Sequence, residues 1–548
     1  MSTIVAPPRH LCLTRPAIGS ATLSIVTALY LLLLANQTFW SKGFAYMTGQ
    51  PLATGLLVLG LAAIFIAVCV TFSVKYVTKP LFIGLILASA ASSWFMDHFG
   101  VIIDVEMIRN AAETTPAEAG HLVTPAFLLH MALYGFLPSA LIALVRIVHR
   151  PILQKVKWNL AVILPCLVVF AASGLSHAST YASVTREHRD WFATLNPLIP
   201  LASTVGYAIG RGSERDIVAQ PIGQDAHVAG PPVSARKPRL TIIVAGETAR
   251  AENFSLNGYA RQTNPELARR DITYFTDTSS CGTATAVSLP CMFSVYPKAT
   301  YSHTRGLDTE NLLDVLTHAG IRAEWWDNNT GSKQIANRVA QQSMPDTKDP
   351  RFCKDGECED GVMLARLDAF MDTVDRDTVL VLHQIGSHGP AYYQRYPESF
   401  RKFTPDCRTA EFADCTQPEI VNAYDNTILY TDHVLATIID KLAARQDRLS
   451  PAMIYMSDHG ESLGEFGLYL HGAPYMIAPS QQTHVPFVLW QGRQEKKQMD
   501  QACLKAEAVK PTSHDNLFHT VLGMMHVETS VRDQALDLVA ACRTTAPS

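Results

Sequence analysis

The sequence lacks an excess of positive charge and has no strongly basic stripe. Its 548 residues carry 45 Lys and Arg against 49 Asp and Glu, which gives a formal net charge of −4. A nucleic-acid partner is therefore not expected, because proteins that bind the phosphate backbone concentrate Lys and Arg on one face. Charge is almost absent from the apolar runs in the first third of the chain, which argues against an ion or proton pathway. A transporter is thus disfavoured, whereas a non-catalytic membrane scaffold stays open.

Five segments near the N-terminus are long and apolar enough to cross a bilayer, which takes about 17–25 residues. They are Ala17–Phe39, Pro51–Phe72, Pro80–Phe95, Val123–Val145 and Trp158–Ser176, and the third is short. A cleaved signal peptide is the alternative for the first segment. Because four further spans follow it, we expect an uncleaved multi-pass membrane domain instead.

Basic residues fall before the first predicted span and then in alternate loops. The positive-inside rule places such residues in the cytoplasm. We therefore predict a multi-pass membrane protein with a cytoplasmic N-terminus, in which the domain after the fifth span lies in a periplasm or its equivalent. The residues that carry this prediction are Arg9, Arg15, Lys75, Lys79, Arg146, Arg150, Lys155 and Lys157.

The eleven cysteines divide into two sets. Cys12, Cys69 and Cys166 lie at or within the apolar runs and are expected to be unpaired. Closely spaced cysteines in loop-like sequence fit disulfides of an oxidising compartment. A zinc knuckle is the alternative, but the spacings do not repeat the pattern of a metal site. The predicted pairs are Cys281/Cys291, Cys353/Cys358 and Cys407/Cys415, and the wider pair Cys503/Cys542 is left open between a disulfide and two free thiols.

Composition divides the chain into three parts, with a membrane domain at 1–176, a connector at 177–238 and a soluble α/β domain at 239–548. Within the connector, Asn196–Ile209 is apolar but too short to span, so we predict an interfacial helix. Asp216–Pro238 is rich in proline and glycine and predicts a flexible linker.

The second predicted outside loop, Asp97–His121, is unusually polar. Asn110, Thr114 and Glu118 recur in it at spacings of four, which places them on approximately one helical face, although Pro116 starts a new turn between them. A solvated surface helix explains this pattern, and so does contact with a zwitterionic lipid headgroup. Both interpretations stay open.

The soluble part contains short apolar runs typical of strands in an α/β sheet. RLTIIVAGET ends at Glu247, TVLVLHQIGSHGP ends near His388, AMIYMSDHGES ends at Asp458 and His459, and HVPFVLW follows. Amphipathic helical patterns lie between them, for example at 311–319 and 420–444. Open α/β sheets bind their ligands at the carboxyl ends of strands. The polar residues at three of these ends are therefore expected to converge.

The converging residues predict a zinc site with a hydroxyl nucleophile. Glu247, Asp458 and His459 supply two carboxylates and an imidazole, and Thr285 adds an oxygen from the loop SSCGTATAVSLPCM. Threonine is a weak nucleophile that needs a base or a metal to lose its proton, and zinc can both favour the alkoxide and neutralise a phosphoryl oxygen. His388 and His471 could bind phosphate, protonate a leaving group or hold a second metal. Each residue taken alone also has a purely structural explanation.

Four long motifs carry a resemblance to a known family. AGETAR (245–250), SCGTATAVSLPCMFS (280–294), HQIGSHGPAYYQRYP (383–397) and SDHGESLGE (457–465) resemble those of the phosphoethanolamine–lipid A transferases, which include the mobile colistin-resistance proteins. The resemblance covers nearly the whole chain. It implies an α-helical membrane domain of five transmembrane helices, followed by an α/β domain of the alkaline-phosphatase/sulfatase type.

The resemblance also implies roles for individual residues. Thr285 would carry a covalent phosphoethanolamine and, with Glu247, Asp458 and His459, would bind the catalytic zinc. His388 and His471 would serve the substrate or a second zinc. The remaining implied contacts are Lys333 with phosphate, Thr330 where a serine is also seen in the family, and Asn110, Thr114 and Glu118 with the lipid donor.

The implied reaction moves phosphoethanolamine from phosphatidylethanolamine to a lipid A phosphate, which would reduce the binding of polymyxin and other cationic peptides. We expect a monomer. The alternative is transfer of phosphoethanolamine or phosphoglycerol to another acceptor, such as a lipopolysaccharide core sugar or a periplasmic glycan. A sulfatase-type nucleophile is disfavoured, because Cys281 is followed by Gly-Thr-Ala and not by the C-x-P-x-R pattern.

Overall fold

The protein divides into two compact units in a computed structural model that describes residues 15–148, 150–214 and 217–544. The first unit comprises the chain up to Asp97 together with Pro125–Leu201, and the second comprises His98–Thr124 together with Ala202 onward. These bounds differ from those expected from composition. The polar segment between the third and fourth predicted spans belongs with the α/β domain, because its side chains pair with residues of that domain.

Long apolar helices dominate the first unit. Four of them could each cross a membrane, and a bent pair of helices, with an angle of 63°, makes up to five if the pair counts as one span. The predicted five-span architecture is therefore compatible with the structure. The third span is longer than expected, at 22 residues. The helices are Ser20–Leu34 bent against Gln37–Tyr46, Pro51–Thr71, Thr78–Phe99, Pro125–Leu144 with a π-helical turn at Met131–Phe136, and Ile152–Ser176.

The start of the predicted connector is part of the first unit. After the last span, the helices Ala178–Glu187 and Arg189–Ala193 bring Trp191 into the apolar core. The Trp191 ring stacks on Phe39, and its indole nitrogen donates a hydrogen bond to the Phe39 carbonyl at 3.0 Å. Such pairing is needed where water is scarce, because a buried polar group without a partner is costly.

A seven-stranded sheet forms the centre of the second unit. Its middle strands are parallel and buried along their whole length, which explains why they appear in the sequence as continuous apolar runs. The predicted strand HVPFVLW is present as Phe487–Gln491 but runs antiparallel to its neighbour Ser450–Ser457. The strand order is Thr273–Phe275, Phe487–Gln491, Ser450–Ser457, Arg239–Gly246, Thr378–His383, Arg322–Asp327 and Ala340–Ser343.

Helices and short strand pairs surround this sheet. The two predicted helices are present as Leu312–His318 and Gln417–Ala443, and each begins with a capping box. The other α-helices are Val105–Glu113, Pro116–Leu122, Leu198–Glu214, Thr285–Met292, His303–Asp308, Gly361–Asp372, Ser480–Thr483, Arg493–Lys497, Gln501–Glu507 and Asp515–Met524. The short strand pairs are Cys353–Lys354 with Glu357–Cys358, Ser462–Leu463 with Tyr469–Leu470, Thr278–Ser279 with Thr512–Ser513, His227–Val228 with Val527–Glu528 and, in the first unit, Ala17–Gly19 with Arg146–Val148.

All four expected cysteine pairs are joined in the structure. They are Cys281–Cys291, Cys353–Cys358, Cys407–Cys415 and, where the sequence left the question open, Cys503–Cys542. Among the described residues, Cys69 and Cys166 are not disulfide-bonded, while Cys12 lies outside the described residues. These four disulfides all lie in the second unit, which is the distribution expected if that unit faces an oxidising compartment.

Residues 217–238 are attached to the second unit and are not the flexible linker that their composition suggested. The strand His227–Val228 pairs with Val527–Glu528, and the backbone of Gln220 bonds to Asp308 and Glu310. Arg236 makes two hydrogen bonds to the buried carboxylate of Asp377, at 2.7 and 2.5 Å. Proline and glycine limit regular structure here, but hydrogen bonds to distant residues fix the path. The segment predicted as an interfacial helix is helical, at Leu198–Glu214, and its place in the membrane interface stays a prediction.

We predict that Asp377→Ala lowers the free energy of unfolding of the second unit by about 3 kcal/mol. Its removal would leave the buried Arg239 and the Arg236 guanidinium without their shared anion, and an unpaired buried charge is costly. The measurement is thermal and denaturant unfolding of the full chain in detergent. Asp375→Ala is the matched control, because that side chain is 80% exposed. Equal midpoints for both variants would contradict the prediction.

Candidate active site

Two neighbouring parallel strands bring the predicted metal ligands together. Glu247 directly follows Arg239–Gly246, and Asp458 and His459 directly follow Ser450–Ser457, so both strands end at one edge of the sheet. All three side chains are buried, and the atoms through which they could bind a metal lie within 4.8 Å of one another.

Thr285 faces this cluster from the first position of the helix Thr285–Met292. Its Oγ1 lies 3.2 and 3.1 Å from the two carboxylate oxygens of Glu247 and 3.3 Å from Nε2 of His459. The threonine hydroxyl, two carboxylates and one imidazole therefore form a single buried group. Either oxygen of Glu247 is within reach of the hydroxyl proton.

The donor set fits a divalent cation. One oxygen of Asp458, Oδ2, is buried and has no hydrogen-bond partner among the described residues. Burial and the adjacent Glu247 carboxylate raise the pKa of Asp458 well above its ordinary value, which is the response of two anions enclosed without a counter-charge. His459 uses Nδ1 to bond the Gly460 carbonyl at 2.9 Å, which directs Nε2 at the cluster. Burial and the nearby His471 lower the pKa of His459 to about 3, so it is a neutral ligand.

Ser288 and the Cys281–Cys291 disulfide hold the Thr285 loop in place. The disulfide joins the segment before the helix to its last turn. The Ser288 hydroxyl accepts a hydrogen bond from the Gly282 backbone at 3.1 Å and donates one to the carbonyl of Asp458. Loop, helix and strand end are thereby connected within one turn of Thr285. The disulfide across this loop was predicted from the sequence, whereas the hydrogen bonds of Ser288 were not.

His388 and His471 lie beside the cluster, each paired with a glutamate. His388 Nε2 is 3.1 Å from Glu118, and His471 Nδ1 is 2.9 Å from Glu461. The His471 ring centroid lies 4.4 Å from that of His459 and 5.4 Å from that of His388. Burial opposes protonation of His388, but the carboxylates of Glu118 and Glu247 raise its pKa to about 9. His388 is therefore a charged donor in this arrangement.

The segment His98–Thr124 supplies two acidic partners to this side of the domain. Besides Glu118, Glu113 lies 3.2 Å from the Lys333 ammonium, which also donates to the Thr330 carbonyl at 3.1 Å. The Thr114 hydroxyl bonds the carbonyl of Asn110 at 2.9 Å, at the end of Val105–Glu113, and Glu118 lies in a separate helix, Pro116–Leu122. The three residues at spacings of four thus lie on two short helices and not on one continuous face.

Asn329 and Glu461 are site residues that sequence reasoning missed. The Asn329 amide donates to Glu247 at 2.7 Å and to the Gln384 carbonyl at 2.9 Å. Glu461, which is fully buried, bonds His471 and accepts from the Tyr392 hydroxyl at 2.6 Å. Glu461 lies in the quoted motif SDHGESLGE, two residues after His459, and Asn329 directly precedes Thr330. Asn329 was missed because the strand Arg322–Asp327 before it was not recognised.

His514 is a buried histidine that joins the Thr285 loop to a strand end. Its Nδ1 accepts a hydrogen bond from the Cys281 backbone at 3.1 Å, and its Nε2 donates to the Ser457 carbonyl at 2.9 Å. Only a neutral imidazole can accept with one nitrogen while donating with the other. Burial lowers the pKa of His514 to about 4, which keeps that form at neutral pH.

This combination defines a class of protein: an α/β domain of the alkaline-phosphatase/sulfatase type, with a threonine hydroxyl opposite strand-end residues that could hold a metal ion. The family described as Sulfatase matches residues 239–527, and the family described as Phosphoethanolamine transferase EptA/EptB matches residues 61–211. The second match covers part of the membrane domain. Together the two matches account for both parts of the chain.

Named relatives agree over nearly the full length. Phosphoethanolamine transferase EptA of Escherichia coli K12 is 38% identical, covering 97% of this chain and 98% of that protein. Phosphatidylethanolamine transferase Mcr-1 of Escherichia coli is 36% identical, covering 88% and 91%. The solved structure of the lipooligosaccharide phosphoethanolamine transferase EptA from Neisseria meningitidis superposes with a TM-score of 0.93 at 35% identity, covering 97% of this chain and 100% of that one. The chain belongs to the phosphoethanolamine transferase family and is an enzyme of that kind.

We predict that His514→Gln removes part of the acid sensitivity of the fold. Because the folded pKa of His514, about 4, lies below the ordinary value of 6.5, the unfolded chain binds the extra proton. The wild type therefore keeps this contribution above pH 6.5 and loses it as the pH falls to 4, by about 3 kcal/mol relative to the variant. Glutamine retains one donor and one acceptor. Denaturant unfolding of both full-length proteins at pH 7, 5.5 and 4.5 measures their free energies of unfolding. The prediction would be wrong if these free energies changed equally with pH in the wild type and the variant.

Proposed function

We propose that the protein transfers phosphoethanolamine from phosphatidylethanolamine to a phosphate of lipid A, through a covalent intermediate on Thr285. The observation that carries the proposal is the position of the Thr285 hydroxyl, 3.1–3.3 Å from Glu247 and His459 in a buried anionic site. The relatives support the substrates, since Mcr-1 is described as a phosphatidylethanolamine transferase and the Neisseria protein as a lipooligosaccharide phosphoethanolamine transferase.

We assign zinc to the site, held by Glu247, Thr285, Asp458 and His459. Two carboxylates, a neutral imidazole and a hydroxyl oxygen match the ligand types and number that zinc takes. When bound, zinc would favour the deprotonated threonine and neutralise negative charge on the phosphoryl group. The unpartnered oxygen of Asp458 supports a cation at this place.

In the first half-reaction, the Thr285 hydroxyl gives up its proton and its oxygen attacks the phosphorus of phosphatidylethanolamine. Glu247 lies close enough to accept that proton. The bond between phosphorus and the diacylglycerol oxygen breaks, and phosphoethanolamine stays on Thr285. His388, kept protonated by Glu118, is the assigned donor of a proton to the departing diacylglycerol oxygen.

In the second half-reaction, a hydroxyl oxygen of a lipid A phosphate gives its proton to His388 and attacks the same phosphorus. The bond from phosphorus to the Thr285 oxygen breaks, and that oxygen takes back the proton held by Glu247. Phosphoryl transfer depends mainly on position and on neutralising charge, and Lys333 and His471 are assigned to the phosphate oxygens. The amine that is added offsets the anionic charge of lipid A. Polymyxin and other cationic peptides would then bind the outer membrane less well.

The segment His98–Thr124 is assigned to the lipid donor through Asn110, Thr114 and Glu118. Glu118 supports this assignment because it already contacts a site histidine. A periplasmic location of this unit, with a cytoplasmic N-terminus, is supported by its four disulfides and by the basic loops between the spans. The monomeric state remains a prediction.

Thr285→Ala is expected to abolish lipid A modification in a polymyxin-sensitive Gram-negative host. Loss of the nucleophile should lower transfer by at least about a thousandfold, the order seen when one member of a catalytic unit is removed. Mass spectra of purified lipid A measure the added phosphoethanolamine, with the exposed Thr300→Ala as the matched control. Modified lipid A in the Thr285→Ala strain would refute the nucleophile. Unmodified lipid A with well-expressed wild type would refute the acceptor, and the core oligosaccharide would then be analysed.

Asp458→Asn is expected to lower the zinc content of the purified protein, whether or not substrate is present. An amide keeps the size of the carboxylate but removes its negative charge, and it changes Oδ2, the oxygen that accepts no hydrogen bond within the described residues. Inductively coupled plasma mass spectrometry measures zinc per chain, and Asp375→Asn is the control far from the ligands in sequence and 80% exposed. Equal zinc in both variants would show that Asp458 is not a ligand.

A further inference from the structure

A single phenylalanine stands out on the surface of the second unit. Phe466 is 90% exposed, at the tip of the short hairpin formed by Ser462–Leu463 and Tyr469–Leu470. Its φ angle is +55°, in the left-handed region that a bulky side chain adopts only at a cost. Gly464 and Gly467 on either side also have positive φ angles. Neither the strain nor the exposure of Phe466 benefits the folded chain, so packing does not explain it.

This hairpin lies against the end of a predicted membrane span. Gly100 is the first residue after the helix Thr78–Phe99, and a Cβ atom there would lie only 2.8 Å from the Gly467 carbonyl oxygen. The ring of Phe412 bridges the two, with its centroid 6.1 Å from that of Phe99 and 5.4 Å from that of Tyr469. Phe99 is the last residue of that helix, so the hairpin contacts the residues at which a predicted span ends.

The tip carries no free charge that would oppose insertion into lipid. Glu465, next to Phe466, pairs with Arg250 at 2.7 Å and accepts a hydrogen bond from the Leu463 backbone at 2.6 Å. Aromatic side chains with apolar surface are the residues that favour the interface between water and hydrocarbon. The position of the tip, its aromatic side chain and the pairing of Glu465 are therefore all compatible with insertion into lipid.

The same hairpin leads directly to the active site. His471 follows its second strand, and the next residue, Gly472, donates its backbone N–H to the Thr283 carbonyl at 2.7 Å, two residues before Thr285. His471 is five positions after Phe466, so the tip and the site histidine are at most about 17 Å apart even along a fully extended chain. Exposed Met476 continues the apolar character beyond His471.

We propose that Phe466 is a membrane-contacting tip that inserts into the phospholipid leaflet next to the end of Thr78–Phe99. Its partner is the lipid bilayer surface, and its effect is to hold the entrance at His471 against the lipid. The acyl chains of a lipid substrate can then stay in the bilayer while its headgroup enters the site. This last consequence rests on the proposed function, whereas insertion itself does not.

Photo-cross-linking tests insertion without reference to catalysis. The full chain in phospholipid nanodiscs would carry benzoyl-phenylalanine in place of Phe466, in place of Leu137 in an apolar span as the positive control, or in place of Asp375 as the negative control. Asp375 is 80% exposed and lies at the amino end of Thr378–His383, at the opposite edge of the sheet from the site. Phospholipid adducts at 137 and 466 but not at 375 are expected. An adduct at 137 alone, or a cross-link from 466 to a second protein chain, would overturn the proposal.

Substrate comparison tests the link to catalysis. For Phe466→Ser, the rate with long-chain phosphatidylethanolamine in nanodiscs, divided by the rate with a short-chain, water-soluble form, should fall about tenfold, equivalent to about 1.4 kcal/mol. Phe466→Leu, which keeps an apolar side chain, should restore most of the ratio. An unchanged ratio for Phe466→Ser would refute the role in substrate entry. If the wild type transferred from neither lipid, the proposed donor would be wrong, while a lipid cross-link at 466 would still establish insertion.

Discussion

The second unit depends on one electrostatic constraint: two carboxylates and an imidazole are buried together where two strands end. Glu247 and Asp458 meet because their strands are parallel neighbours, and the protein provides no full counter-charge between them. Burying like charges this way is expensive unless a cation is present. A metal ion bound by these three side chains would therefore link metal affinity to the stability of the fold, since the free energy gained on binding would offset the cost of assembling them.

The residues around Glu247, Asp458 and His459 form a layer whose polar atoms already have hydrogen-bond partners. Glu461 uses both carboxylate oxygens, on His471 and Tyr392, and His514 uses both ring nitrogens. The Asn329 amide nitrogen donates hydrogen bonds to Glu247 and to the Gln384 carbonyl. Such side chains cannot rotate without losing a buried hydrogen bond. The proposed nucleophile and metal ligands are consequently held in place before any substrate arrives, as catalysis by electrostatic stabilisation requires.

The sequence predicted most reliably the strands that are buried on both faces of the sheet. The central strands are continuous apolar runs, and their strand-end residues could be placed by the rule for open α/β sheets. Arg322–Asp327 alternates polar and apolar residues and Ala340–Ser343 is polar, so both were missed, and Asn329 with them. The path of residues 217–238 and the pairing of Glu118 with His388 depend on contacts between positions far apart in the chain, which composition and periodicity do not report.

The placement of His98–Thr124 in the second unit has a consequence for any attempt to study the enzyme in pieces. A fragment that begins after the last span keeps the nucleophile and the three ligands, but it loses Glu113 and Glu118. Lys333 would lose Glu113, and His388 would keep only Glu247 of its two nearby carboxylates, so the pKa of His388 would fall. An excised catalytic domain is therefore a chemically altered enzyme, and its pH profile and anion affinity describe the fragment and not the intact protein.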